Sequence, residues 1–309
     1  ERVKREQVGQ AKVEHNIFNR KVRWHQQTLK KLGLIERISR GHWQLTKDGN
    51  QTLTRINIDK HMVAASTDLG VIIWGDSTNV FNSVIEEDVH LCIMSPPYLG
   101  IERSYGTYND LEEYIGFILS ILTPIRKRML PGANLAINIS NDSVLKQKFG
   151  ARSHYLEHLI LRIASELDLV LMDRLVWHAA DKAPKSYQVT RARPHLTSRY
   201  EPVLWFCTEP SKTFADNRRV LQPYNAQMKR LIEQGGDKRV VKDSDYQSTS
   251  RRGGFGTDHG GSIPGNVLSF PTYCRSNREI LAHAEKMGLP KHGALYPKSL
   301  ASFLIKWLS

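Results

Sequence analysis

The sequence predicts an α/β fold with a small separate unit ahead of it, and three observations support this prediction. First, the apolar run Val89–Met94 is typical of a buried parallel strand, and it leads directly into Ser95-Pro96-Pro97-Tyr98. Second, Lys298–Leu308 carries apolar residues on one face at helical spacing. Third, the first sixty residues combine one amphipathic helix with two short strands. We therefore expect a sheet with helices on both faces, preceded by a small amino-terminal domain.

The first element predicted along the chain is an amphipathic helix over residues 18–34. Val22, Leu29 and Leu32 supply its apolar stripe. Gly33 is a natural C-cap, because glycine adopts the left-handed backbone conformation that ends many helices. The rest of the helix surface is rich in basic and amide side chains, so we expect that surface to face solvent or a partner.

Two short strands, residues 34–37 and 42–46, are predicted next, around a tip at residues 38–41. A helix followed by a hairpin is the pattern of a winged helix. Residues 1–62 resemble the winged-helix domain found ahead of some bacterial restriction enzymes, which implies DNA binding through long, flexible cations. The side chains expected to contact DNA here are Arg20, Arg23, Lys30 and Arg40. The alternative is a protein-binding winged helix with a solvated basic face.

The turn Ser95-Pro96-Pro97-Tyr98 offers a distinctive set of groups. Its two prolines stop the strand, remove two backbone donors and fix φ at two positions. The carboxyl end of a strand is where open α/β sheets place ligands. A serine hydroxyl, free carbonyls and an aromatic ring suit a flat heterocycle that carries an amino group. Hydroxyl and carbonyl would accept its N–H bonds while the ring stacks on it. The alternative is an ordinary Pro-Pro loop.

This turn and its flanks resemble the amino-methyltransferases of DNA, and the Ser-Pro-Pro-Tyr form is typical of their cytosine-N4 branch. The other matching segments are residues 71–77, 130–140, 174–178, 199–206, 261–267 and 292–297. The resemblance implies a catalytic domain over residues 63–309, with a Rossmann-like fold that uses S-adenosyl-L-methionine and no metal. It assigns catalysis to Ser95, Pro96, Pro97 and Tyr98, and cofactor contacts to Asp76, Tyr296 and Pro297.

One element of the resemblance is missing. Permuted members of the family, in which the catalytic half comes first, carry a Gly-rich cofactor loop after the helix that corresponds to Lys298–Leu308, and this sequence stops at Ser309. The glycines at 253–256 and 260–261 neither follow an apolar strand nor open a helix, so we interpret them as a flexible loop. We therefore expect a circularly permuted, incomplete fold. The cofactor loop would belong to a longer protein, which we favour, or to a second polypeptide.

Residues 211–260 are a polar, basic stretch with many turn residues. The resemblance places the target-recognition region in this interval, and loops on a fixed scaffold commonly carry specificity. The side chains expected to contact DNA here are Arg218, Arg219, Arg251 and Arg252. The alternative is an ordinary solvated insertion.

The composition agrees with a protein that binds nucleic acid. The 309 residues suffice for one large and one small domain, and a formal net charge of +13 indicates a polyanionic partner. Cys92, Cys207 and Cys274 lie far apart without metal-ligand spacing, so we expect reduced thiols. We find no signal peptide and no apolar run that could span a bilayer. We expect a bacterial or archaeal protein, cytoplasmic and nucleoid-associated, with no membrane partner.

The expected mechanism follows from the chemistry of cytosine, whose N4 lone pair is delocalised into the ring. The Ser95 hydroxyl and the Pro96 carbonyl would accept both amine hydrogens and localise the lone pair for attack on the cofactor's methyl group, while Tyr98 stacks on a flipped base. No Pro-Cys nucleophile is present, which argues against methylation at carbon 5. The expected function is site-specific cytosine-N4 methylation of double-stranded DNA in a restriction-modification system. The alternatives are adenine-N6 methylation, or a DNA-binding subunit that supplies target recognition to a split methyltransferase.

Overall fold

The computed structural model describes most of the chain. The described residues are 3–8, 11–16, 26–27, 29–39, 42–48, 62–83, 85, 87–101, 107–141, 150–179, 181–182, 187–238, 252–286 and 295–309. They fall into two compact units, Glu1–Glu87 and Asp88–Ser309. The domain limits predicted from the sequence, 1–62 and 63–309, stay a prediction.

The first unit opens with a hairpin that the sequence does not predict. Strands β1 (Val3–Val8) and β2 (Ala11–Asn16) pair antiparallel, with Val3 opposite Asn16 and Val8 opposite Ala11. β1 has an apolar residue at each end and charged or amide residues between them. This is not the alternation that marks a half-buried strand, so hydrophobic periodicity gives no sign of the pairing.

The end of the predicted amphipathic helix lies where the sequence places it. Residues 26, 27 and 29–31 are helical, and Gly33 follows with a φ of 71°. The Leu34 amide closes the last turn by donating to the carbonyl five residues earlier, at 3.0 Å. Leu32 is 64% exposed, so its assignment to the apolar stripe is wrong: it lies in the turn beyond the last helical residue. Residues 18–25 lie outside the described residues.

The hairpin predicted as the wing is confirmed. Strands β3 (Ile35–Ser39) and β4 (His42–Leu45) pair antiparallel, with an irregularity in the pairing near the tip. The Thr46 amide donates to the Leu34 carbonyl at 3.0 Å, and the Thr46 hydroxyl donates to the Gly33 carbonyl at 2.5 Å. These bonds fasten the hairpin to the end of the preceding helix.

A second pair of strands and a short helix complete the first unit. Strand β5 (Met62–Ser66) pairs antiparallel with β6 (Val71–Trp74), and helix α1 (Ser77–Ser83) follows. The strand predicted within residues 71–77 is confirmed over its apolar part. Its partner among the described strands is β5, which the sequence does not predict.

The second unit is built on a mixed sheet. Its elements in chain order are β7 (Val89–Met94), α2 (Leu111–Arg126), β8 (Met129–Asn138), α3 (Tyr155–Leu167), β9 (Val170–His178), α4 (Tyr187–Thr190), β10 (Tyr200–Cys207), the 3₁₀ turns Pro210–Lys212 and Asn217–Val220, α5 (Ala226–Glu233), β11 (Val267–Ser269), α6 (Arg275–Lys286) and α7 (Lys298–Leu308). The described strands are ordered β11-β9-β10-β8-β7. β7 is parallel to β8, β9 is parallel to β11, and β10 is antiparallel to both of its neighbours. The α/β class predicted from the sequence is confirmed.

The centre of this sheet is covered on both faces. Successive strand residues point to opposite faces, yet residues 135–137 of β8 are all fully buried. On the side of Ala136, helix α7 buries Leu300, Leu304 and Leu308, which confirms its predicted apolar face. Helices α2 and α3 pack against each other, and α3 also contacts β9. Within the described parts of the chain, no helix combines the length and apolar character needed to cross a membrane.

Strand β7 differs from its predicted environment. The sequence predicts a buried parallel strand, and β7 is parallel to β8, its neighbour among the described strands. Residues 91–94 are half-buried rather than buried, because no described strand covers the other side of β7. Burial still raises the pKa of the Cys92 thiol to about 12. Cys92, Cys207 and Cys274 are free thiols, as predicted.

The glycines at 253–256 lie in a hydrogen-bonded turn, and their flexibility stays a prediction. The Asp237 amide donates to the Gly254 carbonyl at 2.9 Å, and the Gly253 amide donates to the Asp237 carbonyl at 2.8 Å. A Cβ on Gly236 would lie 2.5 Å from the Gly253 carbonyl. The two segments meet backbone to backbone, an approach that glycine permits and larger residues do not.

Candidate active site

The candidate site begins at the carboxyl end of β7, where the chain leaves the sheet through Ser95-Pro96-Pro97-Tyr98. Pro96 is buried, Pro97 and Tyr98 are half-buried, and Ser95 is exposed. The Tyr98 carbonyl accepts a hydrogen bond from the Ile101 amide at 3.2 Å. Pro96 and Pro97 restrict the backbone at the start of the turn, and this hydrogen bond restricts it at the end, so the turn is rigid. The Ser95 side chain is exposed and can contact a ligand.

The Tyr98 hydroxyl is the centre of a group of polar side chains. It donates to Glu201 Oε2 at 2.8 Å, and it lies 3.4 Å from both Ser95 Oγ and Asn138 Oδ1. Asn138 is the last residue of β8, and Glu201 is the second residue of β10. β10 runs antiparallel to β8. Its first residues therefore lie at the end of the sheet where β7 and β8 terminate. The turn after β7 and the strands β8 and β10 thus supply side chains to one site.

Glu201 is a largely buried carboxylate with a cation beside it. Its side chain is 15% exposed, and Lys182 Nζ lies 3.3 Å from Oε1, the oxygen that Tyr98 does not contact. The neighbouring Asp181 accepts from the Thr272 hydroxyl at 2.7 Å and from the Thr272 amide at 3.0 Å. The hydroxyl bond is the main reason why the pKa of Asp181 is lowered. These bonds anchor the segment that carries Lys182.

Asn138 is buried, and its side-chain amide has a defined orientation. Its Nδ2 donates to the Pro202 carbonyl at 3.3 Å, which leaves Oδ1 facing the Tyr98 hydroxyl. The phenol proton therefore has two acceptors, and the nearer one, Glu201, is charged. Hydrogen bonds to charged acceptors are stronger than those to neutral ones, so the proton belongs to the bond with Glu201.

Both tyrosines of the site are held neutral. Burial, followed by the negative charge of Glu201, raises the pKa of Tyr98, and the same two causes raise the pKa of Tyr296. The structure therefore brings two of the predicted site residues, Tyr98 and Tyr296, within electrostatic reach of one carboxylate. Among the described residues, the buried Tyr296 hydroxyl has no hydrogen-bond partner.

The predicted cofactor residues Tyr296 and Pro297 lie at the start of α7. Pro297 is buried and is the N-cap residue of this helix. Ser299, in the first turn, has a buried hydroxyl that also lacks a partner within the described structure. Two unsatisfied hydroxyls, at Tyr296 and Ser299, therefore flank Pro297. Buried polar groups are normally satisfied, so this pair indicates a place for a polar ligand or water.

Asp76, the third predicted cofactor residue, lies in the first unit and caps helix α1. Its Oδ1 accepts from the Thr78 amide at 2.9 Å, from the Asn79 amide at 3.4 Å and from the Thr78 hydroxyl. The hydroxyl bond is the largest cause of the lowered pKa of Asp76. Capping explains this aspartate locally. Its contact with a cofactor stays a prediction.

Four of the side chains predicted to contact DNA lie within the described residues. Lys30 and Arg252 are exposed. Arg218 donates to both carboxylate oxygens of Asp216 at 2.7–3.0 Å, and Arg219 donates to a nearby backbone carbonyl. DNA contacts by these two arginines would compete with bonds inside the protein, and all the DNA contacts stay predictions. The other four residues, Arg20, Arg23, Arg40 and Arg251, lie outside the described residues.

The sequence does not predict three members of the site: Glu201, Asn138 and Lys182. A signal exists for Asn138, a polar residue at the carboxyl end of a strand, where α/β sheets place ligands. Glu201 has no such signal, because it lies at the start of β10. Lys182 has no such signal, because it lies in a loop and meets a carboxylate 19 positions away. In the part of the chain that is described, no three His, Cys, Asp or Glu side chains are placed to hold a metal ion.

Two methyltransferases are similar to this chain. It is 29% identical over 255 residues to the Type II methyltransferase M.PvuII of Proteus hauseri, a match that covers 80% of this chain and 72% of the relative. It is 26% identical over 220 residues to the Type II methyltransferase M.BglII of Bacillus subtilis, which covers 68% of this chain and 50% of the relative.

The fold and the family models agree with these relatives. The solved structure of PvuII DNA methyltransferase (cytosine-N4-specific) matches with a TM-score of 0.55 at 23% identity, over 76% of this chain and 68% of that one, which shows the α/β methyltransferase fold. Residues 1–55 match the Mrr N-terminal domain, in agreement with the predicted likeness to restriction-type proteins. Residues 89–309 match the family model described as DNA methylase, and the chain belongs to this family.

Proposed function

We propose that this DNA methylase transfers a methyl group from S-adenosyl-L-methionine to N4 of cytosine in double-stranded DNA, within a restriction-modification system. The similarity to M.PvuII supports this base, because the PvuII enzyme of known structure is described as cytosine-N4-specific. The observation that carries the proposal is the position of the Ser95 and Tyr98 hydroxyls, 3.4 Å apart, at the carboxyl end of β7. A flat base with an exocyclic amine meets an acceptor and an aromatic face there.

Ser95 and Pro96 supply the acceptors that the amine needs. The amine of cytosine is a poor nucleophile, because its lone pair is shared with the ring. The exposed Ser95 hydroxyl and the Pro96 carbonyl can each accept one amine hydrogen, which localises the lone pair on nitrogen. The rigid Pro-Pro turn holds both acceptors in place before the base arrives, so little entropy is lost in the reaction. The Tyr98 ring offers the face on which the base stacks.

The described residues fit S-adenosyl-L-methionine. When bound, this cofactor supplies a methyl group activated by a sulfonium. Its amino-acid end is polar, and the Tyr296 and Ser299 hydroxyls, buried without partners among the described residues, are available to bind such groups. Pro297 lies between them in the sequence, and Asp76 is proposed as an adenosine contact on the family resemblance. The Gly-rich loop would come from a longer protein or from a second polypeptide, and both origins are part of the proposal.

Double-stranded DNA is the proposed partner of the basic surface. The net charge of +13 and the exposed Lys30 and Arg252 suit contacts with phosphates. A base inside a duplex cannot reach Ser95, so the target cytosine must be flipped out of the stack. A DNA substrate places the protein with the genome, in the bacterial or archaeal cytoplasm and associated with the nucleoid.

Mass spectrometry of nucleosides tests the proposed reaction. Duplex DNA incubated with the cofactor and the protein, with the Gly-rich loop supplied by the longer protein or by a second polypeptide, is expected to yield N4-methylcytosine. N6-methyladenine in its place would show that the base is wrongly assigned. The two sources of the loop are compared in parallel reactions. If neither reaction methylates DNA, although the protein binds DNA tightly, the chain acts as a target-recognition subunit and the proposed activity is wrong for it.

Ser95→Ala tests the assignment of the tetrapeptide. We expect single-turnover methylation to fall about hundredfold, the effect of removing one group that stabilises the reacting state, while DNA affinity stays within about twofold. Ser165→Ala is the matched control, because Ser165 is exposed on α3 and contacts its own helix. Tyr98→Ala should weaken base flipping, since stacking contributes about 1–3 kcal/mol per base. A fluorescent base analogue at the target site reports that loss, and unchanged turnover of Ser95→Ala would contradict the assignment.

A further inference from the structure

We propose that Glu201 is a positioning residue that sets the direction of the hydrogen bonds at the tetrapeptide, so that Ser95 offers its lone pairs to the substrate amine. The inference rests on the proposed function and deepens it. It starts from the line of three groups Ser95 Oγ, Tyr98 Oη and Glu201 Oε2, separated by 3.4 Å and 2.8 Å.

The line has a defined end at Glu201. An ionised carboxylate accepts hydrogen bonds and cannot donate them. Lys182 Nζ lies 3.3 Å from the other carboxylate oxygen, so that oxygen is paired with a cation. The Glu201 side chain is 15% exposed and the Lys182 side chain is 30% exposed. Water therefore screens this ion pair less than it screens one at the open surface. Glu201 therefore accepts the hydrogen bond that the Tyr98 hydroxyl donates.

The phenol passes this direction on to Ser95. Tyr98 has one proton, and the bond to Glu201 uses it. Asn138 does not donate to the Tyr98 hydroxyl. Its Nδ2 donates to the Pro202 carbonyl, and the atom that faces Tyr98 is Oδ1, which can accept a hydrogen bond but cannot donate one. Because its proton is used, the phenol oxygen can act toward Ser95 only as a hydrogen-bond acceptor. A hydrogen bond between these two hydroxyls must run from Ser95 to Tyr98.

Ser95 is left as an acceptor toward the open side of the site. Its single proton points to Tyr98, so both lone pairs of Oγ face away from the phenol. Ser95 is exposed, which leaves these lone pairs available to a substrate amine. Without a fixed direction, the serine proton could turn toward the amine nitrogen and compete for the lone pair that must attack the methyl group. The Ser95–Tyr98 distance of 3.4 Å is long, and such bonds commonly tighten when substrate binds.

Packing alone does not require a carboxylate at position 201. A glutamine fills the same space and can accept the Tyr98 proton through its oxygen. Its amide nitrogen can also donate to Tyr98, however, which would reverse the line. A largely buried charge is costly unless it is well paired, and the contact with Lys182 is long. A charge kept under these conditions is explained by the direction it imposes.

The test compares Glu201→Gln, Tyr98→Phe and the double variant in a protein shown to methylate DNA. We expect each single variant to lower the single-turnover methylation rate about tenfold to hundredfold, the range for one hydrogen bond to a charged group. DNA affinity and the flipping signal of a fluorescent base analogue should stay within about twofold, because the ring and the basic surface are intact. The double variant should be no slower than Tyr98→Phe, since Glu201 acts through the phenol hydroxyl.

Glu209→Gln is the matched control, because Glu209 forms an exposed ion pair with Lys212 outside the site. Its rate should equal that of the wild type. A wild-type rate in Tyr98→Phe overturns the proposal, even if Glu201→Gln fails to fold. Additive losses in the double variant also overturn it, because Glu201 would then act by another route. Wild-type protein that yields no methylated base refutes the proposed function instead, so the two failures are distinguishable.

Discussion

Asn134 is expected to be a strong determinant of the stability of the second unit. It lies on β8 and is 0% exposed. Its Nδ2 donates to the Leu308 carbonyl at 2.8 Å, and its Oδ1 accepts from Trp205 Nε1 at 2.9 Å and from Thr213 Oγ1 at 3.1 Å. The amide thus joins the end of α7 to β10 and to the segment after β10. Asn134→Leu removes all three hydrogen bonds and keeps a side chain of comparable length.

The magnitude follows from the three groups that lose a partner. A buried donor or acceptor left without a hydrogen bond costs about 1–3 kcal/mol. The Leu308 carbonyl is in a buried bond, so its cost lies in the upper part of that range. Trp205 and Thr213 are half-buried, and water can reach them in part, so their costs lie near the lower limit. Together these losses amount to about 3–5 kcal/mol, a large share of the 5–15 kcal/mol by which domains are stable.

Urea unfolding followed by tryptophan fluorescence measures the loss. Trp205 and Trp307 pack with ring centroids 4.7 Å apart, so their emission reports on this part of the core. Asn266→Leu is the control, because Asn266 is exposed and makes one long side-chain bond of 3.3 Å. We expect that control to stay within about 0.5 kcal/mol of the wild type. A loss below about 1 kcal/mol for Asn134→Leu would refute the reasoning, because the three groups would then have found other partners.

Three further predictions concern backbone strain, thiol reactivity and helix capping. Gly132→Ala should lower the unfolding free energy by at least about 1–2 kcal/mol, because Gly132 has a φ of 86° and a Cβ would overlap a backbone carbonyl; an unchanged melting temperature would contradict this. At pH 7.5 iodoacetamide should label Cys274 before Cys92. Backbone hydrogen bonds, chiefly that of Lys298, lower the pKa of the Cys274 thiol, while burial raises the pKa of the Cys92 thiol to about 12. Peptide mass mapping measures the order of labelling, and equal labelling would contradict this prediction. Asp76→Ala should cost about 1 kcal/mol at pH 7, and the difference should shrink as the pH falls through the lowered pKa of Asp76, because protonation weakens the cap; urea unfolding at pH 7 and pH 3 tests this, and an equal loss at both would refute it.

The sheet and its turn could be predicted because their signals are local. Residues 89–94 and 298–308 each carry an apolar pattern that fixes their type of element without reference to the rest of the chain. Gly33 and the hairpin after it are likewise set by short-range chemistry, and the structure has them where the sequence places them. The tetrapeptide follows the same logic, since two prolines must end a strand wherever that strand lies in the sheet.

Position within the sheet could not be predicted, because it depends on which strands pair. Strand β7 has the apolar composition of an interior strand and is the last strand of the sheet as far as it is described. Glu201 is a comparable case: it joins the site because β10 enters the sheet antiparallel, which carries its first residues to the end where β7 stops. Glu201 and Tyr98 are 103 positions apart, and a pattern within either segment cannot reveal their contact.

The two tyrosines beside Glu201 show why the contact matters for chemistry. Both are kept neutral by burial and by the same negative charge, so each has one proton to donate. Tyr98 donates its proton to Glu201, whereas the Tyr296 hydroxyl has no partner among the described residues. Because Tyr98 donates to Glu201, its side of the site, with Ser95, is left to accept hydrogen bonds, whereas Tyr296 keeps its proton for donation. The proposed substrate amine and the polar end of the proposed cofactor need these two different surroundings, and the accepting side depends on a single charged side chain at the start of β10.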